Sequence, residues 1–234
     1  MIGAEMLFVG VVAALAAALT PSAIGILIQL CARILGAGKS LSRMFWLGII
    51  FTAALYICSL SLGVALLYLV SIVPILPANY LAVGVGIIVV NAGLIEMKDY
   101  FWYGRGLGLR VHTSAAQRIK RIIKRRATPA QALLLGSYAS IAILPSVGAA
   151  YLAIIMLLRN NFDRSGISLL ILYNGIFILP LILTLIMVAY GVRLSTMQRW
   201  KDDGKGRMRL GVGLMLVTLG WILLLMTNGA LNLG

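Results

Sequence analysis

Six apolar segments, each about as long as a bilayer is thick, restrict this chain to one class of fold. A hydrocarbon core about 30 Å thick takes roughly 20 apolar residues of helix, because every backbone polar group must be satisfied within the segment. The runs are continuous and lack alternation at period two, which favours helices over a transmembrane barrel. We therefore predict an all-α integral membrane protein with spans at 6–32, 44–73, 78–97, 130–158, 166–192 and 209–231.

The basic residues indicate which side of the membrane each connection faces. Of the 20 Lys and Arg residues, 18 lie in the first, third and fifth connections and two lie in the fourth. The positive-inside rule assigns the rich connections to the cytoplasm. We predict cytoplasmic segments at 33–43, 98–126 and 193–209, with both termini on the opposite side.

The basic stretch "QRIKRIIKRR" at 117–126 contributes much of the net charge of +14. Beside an anionic leaflet, such a stretch sets topology and attracts lipid, so a bilayer rather than a nucleic acid is the expected partner. We predict a short amphipathic helix lying on the membrane surface from Ala115 to Arg126, with Ile119, Ile122 and Ile123 facing inward. Its alternative role is a docking surface for a cytosolic partner.

The order of the spans predicts two related halves. Three spans, a long polar connection and three more spans form a single membrane domain, 1–234, with repeats at 1–98 and 130–234 joined by 99–129. An odd number of spans in each half inverts the second half relative to the first. Transporters use inverted repeats of this kind to alternate access, with the functional site where broken helices from the two halves meet.

An echoed motif supports this division of the chain. "LTPSAIG" at 19–25 and "ILPSVGA" at 143–149 each place Pro-Ser 16 residues after the start of a predicted helix. Proline inside a helix removes a hydrogen bond and costs about 3 kcal/mol. We predict that the first and fourth membrane helices are broken at Pro21 and Pro145. A kink with only a packing role is the alternative.

Small and polar residues around these prolines are the candidate site. Straight helices would leave each serine about 24 Å from the face at which its helix starts, so the breaks are needed to bring both near the midplane. A further proline in the fifth membrane helix is predicted to act as a hinge. The candidate residues are Ser22 and Ser146, with Pro21, Gly25, Pro145, Gly148 and Pro180 at the breaks and hinge.

Taken together, these features resemble a known family. "LTPSAIG", "ILPSVGAAYLA", the three-plus-three plan and "GLIEMKDYFWYGRG" at 93–106 are similar to the CcdA branch of the cytochrome c biogenesis and DsbD transmembrane family. The resemblance implies a prokaryotic cell-membrane protein that passes reducing equivalents by thiol-disulfide exchange in cytochrome c maturation. It implies a cytosolic thioredoxin-like donor and an extracytoplasmic thioredoxin-like acceptor.

One departure from the family pattern decides the chemistry. In that family the residue after each proline is the redox cysteine, and here Ser22 and Ser146 take those positions. A hydroxyl forms no disulfide, so this chain is expected to be redox-inactive, and oxidoreductase activity depends on restoring both cysteines. Deliberate replacement, a natural paralogue without redox activity and a resemblance that does not extend to mechanism each explain the serines.

Other chemistry is sparse in this sequence. We expect no cofactor and no metal site, because His112 is the single histidine. Cys31 and Cys58 are not expected to form a redox pair, and Cys31 is the better candidate for reaction with a cytosolic thiol. Acidic residues at the end of the third membrane helix, Glu96 and Asp99, are predicted to be interfacial partners of Lys98 or Arg105. Asn91 and Asn174 are predicted to form interhelical hydrogen bonds.

Two other functions are compatible with the same sequence. A small-solute or ion exporter on the plan of the LysE-like transporters would use Pro-Ser motifs to line a polar cavity without any thiol. A structural membrane subunit would need no intramembrane chemistry. The exporter predicts a cavity that reaches both serines, and the subunit predicts a broad apolar or aromatic patch on one outer face.

Overall fold

The structure, a computed structural model, describes residues 4–102, 108–109, 111–124, 127–159 and 164–227, with only the backbone described at 4–5 and 75–78. These residues form nine α-helices and no strand. In chain order the helices are α1 (Ala4–Ala18), α2 (Pro21–Gly36), α3 (Leu41–Ser71), α4 (Ile75–Phe101), α5 (Thr113–Lys124), α6 (Pro129–Ala142), α7 (Leu144–Leu158), α8 (Arg164–Ala189) and α9 (Leu194–Thr227).

Length and apolar composition identify the helices that can cross a bilayer. Helices α3, α4, α8 and α9 each meet this requirement alone, and two bent pairs, α1 with α2 and α6 with α7, meet it together. The described part of the chain therefore has four to six candidate membrane spans. This confirms the prediction of an all-α membrane protein.

The two bent pairs break at the predicted prolines. The axes of α1 and α2 differ by 45°, and those of α6 and α7 by 68°. Pro21 is the first residue of α2 and Pro145 the second of α7, positions at which the missing proline N–H removes no intrahelical bond. The Thr20 hydroxyl donates to the Ala16 carbonyl at 3.2 Å, which supplies a partner at the end of α1. The predicted breaks are confirmed.

The fifth connection differs from its prediction. The basic segment 193–209 was expected to link two spans, but α9 begins at Leu194 and continues without a break into the apolar segment. No proline interrupts this stretch, and Gly204 and Gly206 each cost a helix only about 1 kcal/mol. One helix therefore carries both the basic segment and the last span. Residues 228–231 of that predicted span lie outside the described residues.

The amphipathic helix predicted in the third connection is confirmed as α5. Ile119 and Ile123 are buried and Ile122 is half-buried, as the sequence predicted. This face packs against α6 and α2 of the protein, and the predicted location of the helix on the membrane surface stays a prediction. The Arg118 guanidinium lies 5.7 Å from the centre of the Tyr138 ring on α6, which adds a cation–π contact. Residues 125–126 lie outside the described part of the chain.

A seam of glycines joins α4 to α9, the most extensive helix pair in the described structure. A Cβ atom added to Gly93 would lie 2.7 Å from the Gly213 carbonyl oxygen, and one added to Gly213 would lie 2.7 Å from the Gly93 carbonyl. A Cβ atom on Gly220 would lie 3.0 Å from the Gly86 carbonyl. Without a hydrophobic force between helices in lipid, such close backbone approach is a main source of their association.

We expect Gly93→Ala to destabilise the protein by about 1–3 kcal/mol, because the new methyl would meet the backbone of α9 rather than a flexible side chain. The measurement is the free energy of unfolding in mixed micelles. Gly84→Ala is the matched control on the same helix, since nothing lies within 4 Å of a Cβ atom there. Equal stability of the two variants would contradict the close packing of this seam.

Candidate functional site

The structure brings Ser22 and Ser146 together although they are 124 positions apart in sequence. The two Oγ atoms lie 3.1 Å apart, and the Ser146 Oγ also lies 2.8 Å from the Ile143 carbonyl oxygen. A hydroxyl has one proton to donate. When Ser146 donates to Ile143, Ser22 is the donor to Ser146, so the two serines form a short directed chain of hydrogen bonds.

Two helix N-termini meet at this contact. Ser22 is the second residue of α2 and Ser146 the third of α7, because each proline begins a new helix just before its serine. Helix N-termini carry the positive end of the backbone dipole. The surroundings of the serine pair are therefore favourable to negative charge.

A buried ion cluster lies beside the serines. Arg209 of α9 is hydrogen-bonded to Asp99 and lies 3.4 Å from Glu96, and both carboxylates belong to α4. Glu96, Asp99 and Arg209 are 3%, 1% and 7% exposed, so the three charges are removed from water together. A space of about 10 Å³ lined by Ser22, Ser146, Glu96 and Arg209 connects the cluster to the serine pair.

The pairing of this cluster was only partly predicted. The predicted contact of Asp99 with Lys98 is confirmed, with Nζ 3.1 Å from Oδ1, and Arg105 lies outside the described residues. Sequence reasoning missed Arg209, which was counted only as part of a basic connection. The available signal was its place directly before the apolar segment of α9, where a charge must find a partner to be buried.

A basic cavity of about 270 Å³ reaches Ser22 and Gly25 from one side. Four basic side chains line it and no described acidic residue does: Lys120 from α5, with Lys201, Lys205 and Arg209 from α9. The three on α9 are spaced four residues apart, which places them on one helix face. The Lys201 ammonium lies 3.4 Å from the position that a Cβ atom on Gly25 would occupy, so the absent side chain admits the charge to α2 one turn after its N-terminus.

A second polar space of about 20 Å³ is lined by Ala17, just before the first break, by Leu144, just after the second, and by a cluster of polar side chains. The Asn174 amide donates to the Tyr151 hydroxyl at 3.2 Å, and Tyr151 donates to the Ser59 carbonyl at 2.5 Å. Among the described residues the Tyr173 hydroxyl and the Asn174 Oδ1 atom have no hydrogen-bond partner. The space is large enough for one water molecule.

The two predicted interhelical asparagines have different outcomes. Asn174 joins α8 to α7 through Tyr151, which confirms its prediction. Asn91 is exposed and its amide donates to the Ile87 carbonyl of the same helix at 2.8 Å. The prediction for Asn91 was therefore wrong, because a side chain on the outer face of α4 meets its own backbone first.

The cysteines are placed away from this site. Both are free, and Cys31 is 0% exposed on α2 while Cys58 is half-buried on α3. The preference for Cys31 over Cys58 as the candidate for a cytosolic thiol is not supported by burial, because Cys31 is packed in the core while Cys58 is half-buried. No group of three His, Cys, Asp or Glu side chains within the described ranges is placed to hold a metal ion.

The remaining predicted residues lie within helices. Gly148 is in α7, where the nearest atom to an added Cβ would be 4.0 Å away, so packing does not require glycine there. Helix α8 continues through Pro180, whose carbonyl accepts a hydrogen bond from the Thr184 hydroxyl at 2.7 Å. The hinge role of Pro180 stays a prediction.

Comparison of the chain with protein-family models, with curated proteins and with solved structures gives no match. The resemblance to the CcdA branch is therefore carried by the quoted motifs alone.

Proposed function

We propose that this chain moves a small solute across the membrane past the contact between Ser22 and Ser146. The observation that carries the proposal is the 270 Å³ basic cavity that reaches Ser22, beside a hydroxyl pair formed where two bent helix pairs meet. A cavity reaching the serines is the feature expected of an exporter that uses no thiol. Hydroxyls can bind a solute but cannot relay electrons through a disulfide.

The helix contacts support an inverted-repeat plan for this transporter. In an inverted repeat, helices α1, α2, α3 and α4 of the first half would correspond to α6, α7, α8 and α9 of the second. The packing of α3 on α6 then corresponds to the packing of α8 on α1. The packing of α4 on α7 corresponds in the same way to that of α9 on α2. Helices α4 and α9 would correspond to each other, so exchange of the two halves leaves the glycine seam between them in place. An alternating-access mechanism needs two related halves of this kind.

We infer that the two polar spaces belong to one path with a closed centre. The basic cavity reaches Ser22, and the space beside Tyr151 and Asn174 is lined by Ala17 of α1 and Leu144 of α7, near the two breaks. In this path the serine contact would be the closed point between the two spaces. Relative movement of the two bent pairs would open this centre, and each proline removes one backbone donor that would otherwise tie the two helices of its pair together.

A second candidate function, electron transport on the CcdA plan, is favoured by the 3.1 Å separation of the serine oxygens. Side chains that meet so closely would be positioned for a disulfide if both were cysteine. A cytosolic thioredoxin-like donor and an extracytoplasmic acceptor would then be the partners. The chain as it stands supplies the scaffold for that reaction and lacks its sulfur atoms.

Flux into proteoliposomes tests the proposed function. The probes are radiolabelled phosphate, sulfate, glycine, lysine and sodium ion, each added to vesicles with and without the full chain. We expect saturable flux of at least one probe, reduced at least tenfold by Ser22→Val or Ser146→Val, because two methyl groups replace the binding hydroxyl. Ser168→Val is the matched control, since Ser168 is exposed on α8.

Two results would contradict solute transport. The first is flux of every probe equal to that of protein-free vesicles. The second is equal flux through the Ser22→Val, Ser146→Val and Ser168→Val variants. If Ser22→Cys/Ser146→Cys exchanges disulfides with reduced thioredoxin while solute flux is absent, the electron-transport candidate takes its place.

A further inference from the structure

We propose that the basic cavity binds a small soluble oxyanion with two or more negative charges, of the phosphate or sulfate type. This inference rests on the proposed function, because it assigns the transported solute to the class of anions. The residues that define the site are Lys120, Lys201, Lys205 and Arg209. Ser22 and the first turn of α2 form the opposite wall.

The position of the basic residues distinguishes a binding site from a topology signal. Charges that only orient a protein can remain in water at its surface. Here the Lys201 and Arg209 side chains are only 16% and 8% exposed, and they face a concave space. Arg207 on the same helix is exposed and does not line the cavity, so it shows the ordinary arrangement.

Described carboxylates contact two of the four basic groups. Glu96 and Asp99 pair with Arg209, and Asp202 lies 3.6 Å from Lys201. None of these three carboxylates lines the cavity. Like charges four residues apart on a helix repel one another. A multivalent anion between α5 and α9 would relieve that repulsion.

The opposite wall supplies a complementary set of groups. Gly25 allows the Lys201 ammonium to approach α2 one turn after its N-terminus, which carries the positive end of the helix dipole. Ser22, one turn earlier, adds a hydroxyl that can donate to an anion oxygen. An oxyanion held here by Lys201 would therefore lie beside the serine contact.

The size of the cavity limits the ligand. A volume of 270 Å³ has room for several water molecules. Inorganic phosphate, sulfate or a small organic phosphate fits, whereas a nucleic acid strand does not. The same headgroup chemistry is present in anionic lipids, and Lys201 also borders an apolar crevice of about 390 Å³ that could take an acyl chain. The experiment must therefore separate the two sources of phosphate.

The first arm measures binding to the purified full chain in a zwitterionic detergent. Inorganic phosphate and sulfate are titrated calorimetrically at constant ionic strength, with glycerol and tetramethylammonium as neutral and cationic probes. We expect saturable binding of the two dianions and none of the other probes. Lys201→Gln should weaken phosphate binding at least tenfold, and Lys201→Arg should restore most of it.

Matched controls separate cavity charge from overall charge. Lys124→Gln on α5 and Arg207→Gln on α9 each remove one exposed positive charge outside the cavity. Neither is expected to change the phosphate affinity by more than twofold. If they weaken binding as much as Lys201→Gln, the attraction is diffuse and the proposed site is overturned.

The second arm compares binding with flux in vesicles of phosphatidylcholine alone and of phosphatidylcholine with phosphatidylglycerol. Phosphate flux that falls with Lys201→Gln supports an anionic cargo. Saturable phosphate binding without any flux supports the anion site and overturns transport. Flux of only glycine, lysine or sodium, without phosphate or sulfate binding, supports transport and overturns the anion site. Loss of phosphate binding on adding phosphatidylglycerol, together with lipid that copurifies unless Lys201 is replaced, assigns the cavity to lipid and overturns a soluble cargo.

Discussion

Oxidation of a Ser22→Cys/Ser146→Cys variant is expected to link α2 to α7 in nearly every molecule. The serine oxygens are already 3.1 Å apart, and both side chains start from the first turn of a helix. Little backbone movement is therefore needed to reach disulfide geometry. The measurement is protection from a maleimide gel-shift reagent after mild oxidation, in a background with Cys31→Ala and Cys58→Ser. Reductant should return full labelling.

The control pair for this experiment is Ser22→Cys/Ser140→Cys. Ser140 is buried on α6, before the break, and lines the polar space beside Tyr151 and Asn174. We expect no protection for this pair. In vesicles, oxidation of the Ser22→Cys/Ser146→Cys pair should also stop solute flux, because it would hold the closed centre. Full maleimide labelling of the first pair under oxidation would show that the contact is not populated in the membrane.

Arg209→Gln is expected to destabilise the protein by about 3–5 kcal/mol, the usual cost of leaving a buried charge without its partner. Glu96 and Asp99 are almost fully buried and both contact this guanidinium. The measurement is the free energy of unfolding in mixed micelles, followed by circular dichroism. Arg207→Gln is the control on the same helix and should change stability by less than about 0.5 kcal/mol, as exposed substitutions do.

A triple variant distinguishes charge from packing. Glu96→Gln/Asp99→Asn/Arg209→Met removes all three charges at similar volume, and we expect it to recover most of the lost stability. If the triple variant is as unstable as Arg209→Gln, loss of the guanidinium's packing rather than exposed carboxylate charge is responsible. If Arg209→Gln is as stable as Arg207→Gln, the buried cluster is not present in the folded protein.

The class of fold and the two breaks were predictable because they depend on local chemistry. Long apolar segments can satisfy their backbone in lipid only as helices. Proline at 21 and 145 cannot donate the hydrogen bond that a continuous helix needs, so a bend near each was expected from sequence alone. The amphipathic helix α5 followed from the spacing of Ile119, Ile122 and Ile123 for the same reason.

The composition of the site was harder to predict because it depends on which helices meet. Sequence spacing placed Ser22 and Ser146 at corresponding positions, but bends of 45° and 68° determine that their oxygens touch. Arg209 was counted with the basic connection, since nothing in its immediate sequence shows that α4 brings two carboxylates to it. The complete burial of Cys31 could not be predicted for a similar reason, because the sequence does not show which face of α2 is packed.

The glycine seam and the basic residues belong to one uninterrupted helix, so a tilt of α9 about the seam displaces its basic end. Lys201 lies 12 residues before Gly213, a distance of about 18 Å along a helix axis. A tilt of about 10° at the seam would carry the Lys201 end roughly 3 Å sideways at that radius. A displacement of that size is the length of a hydrogen bond. Small rocking of α9 against α4 would thus be amplified into gain or loss of the Lys201 contact with α2.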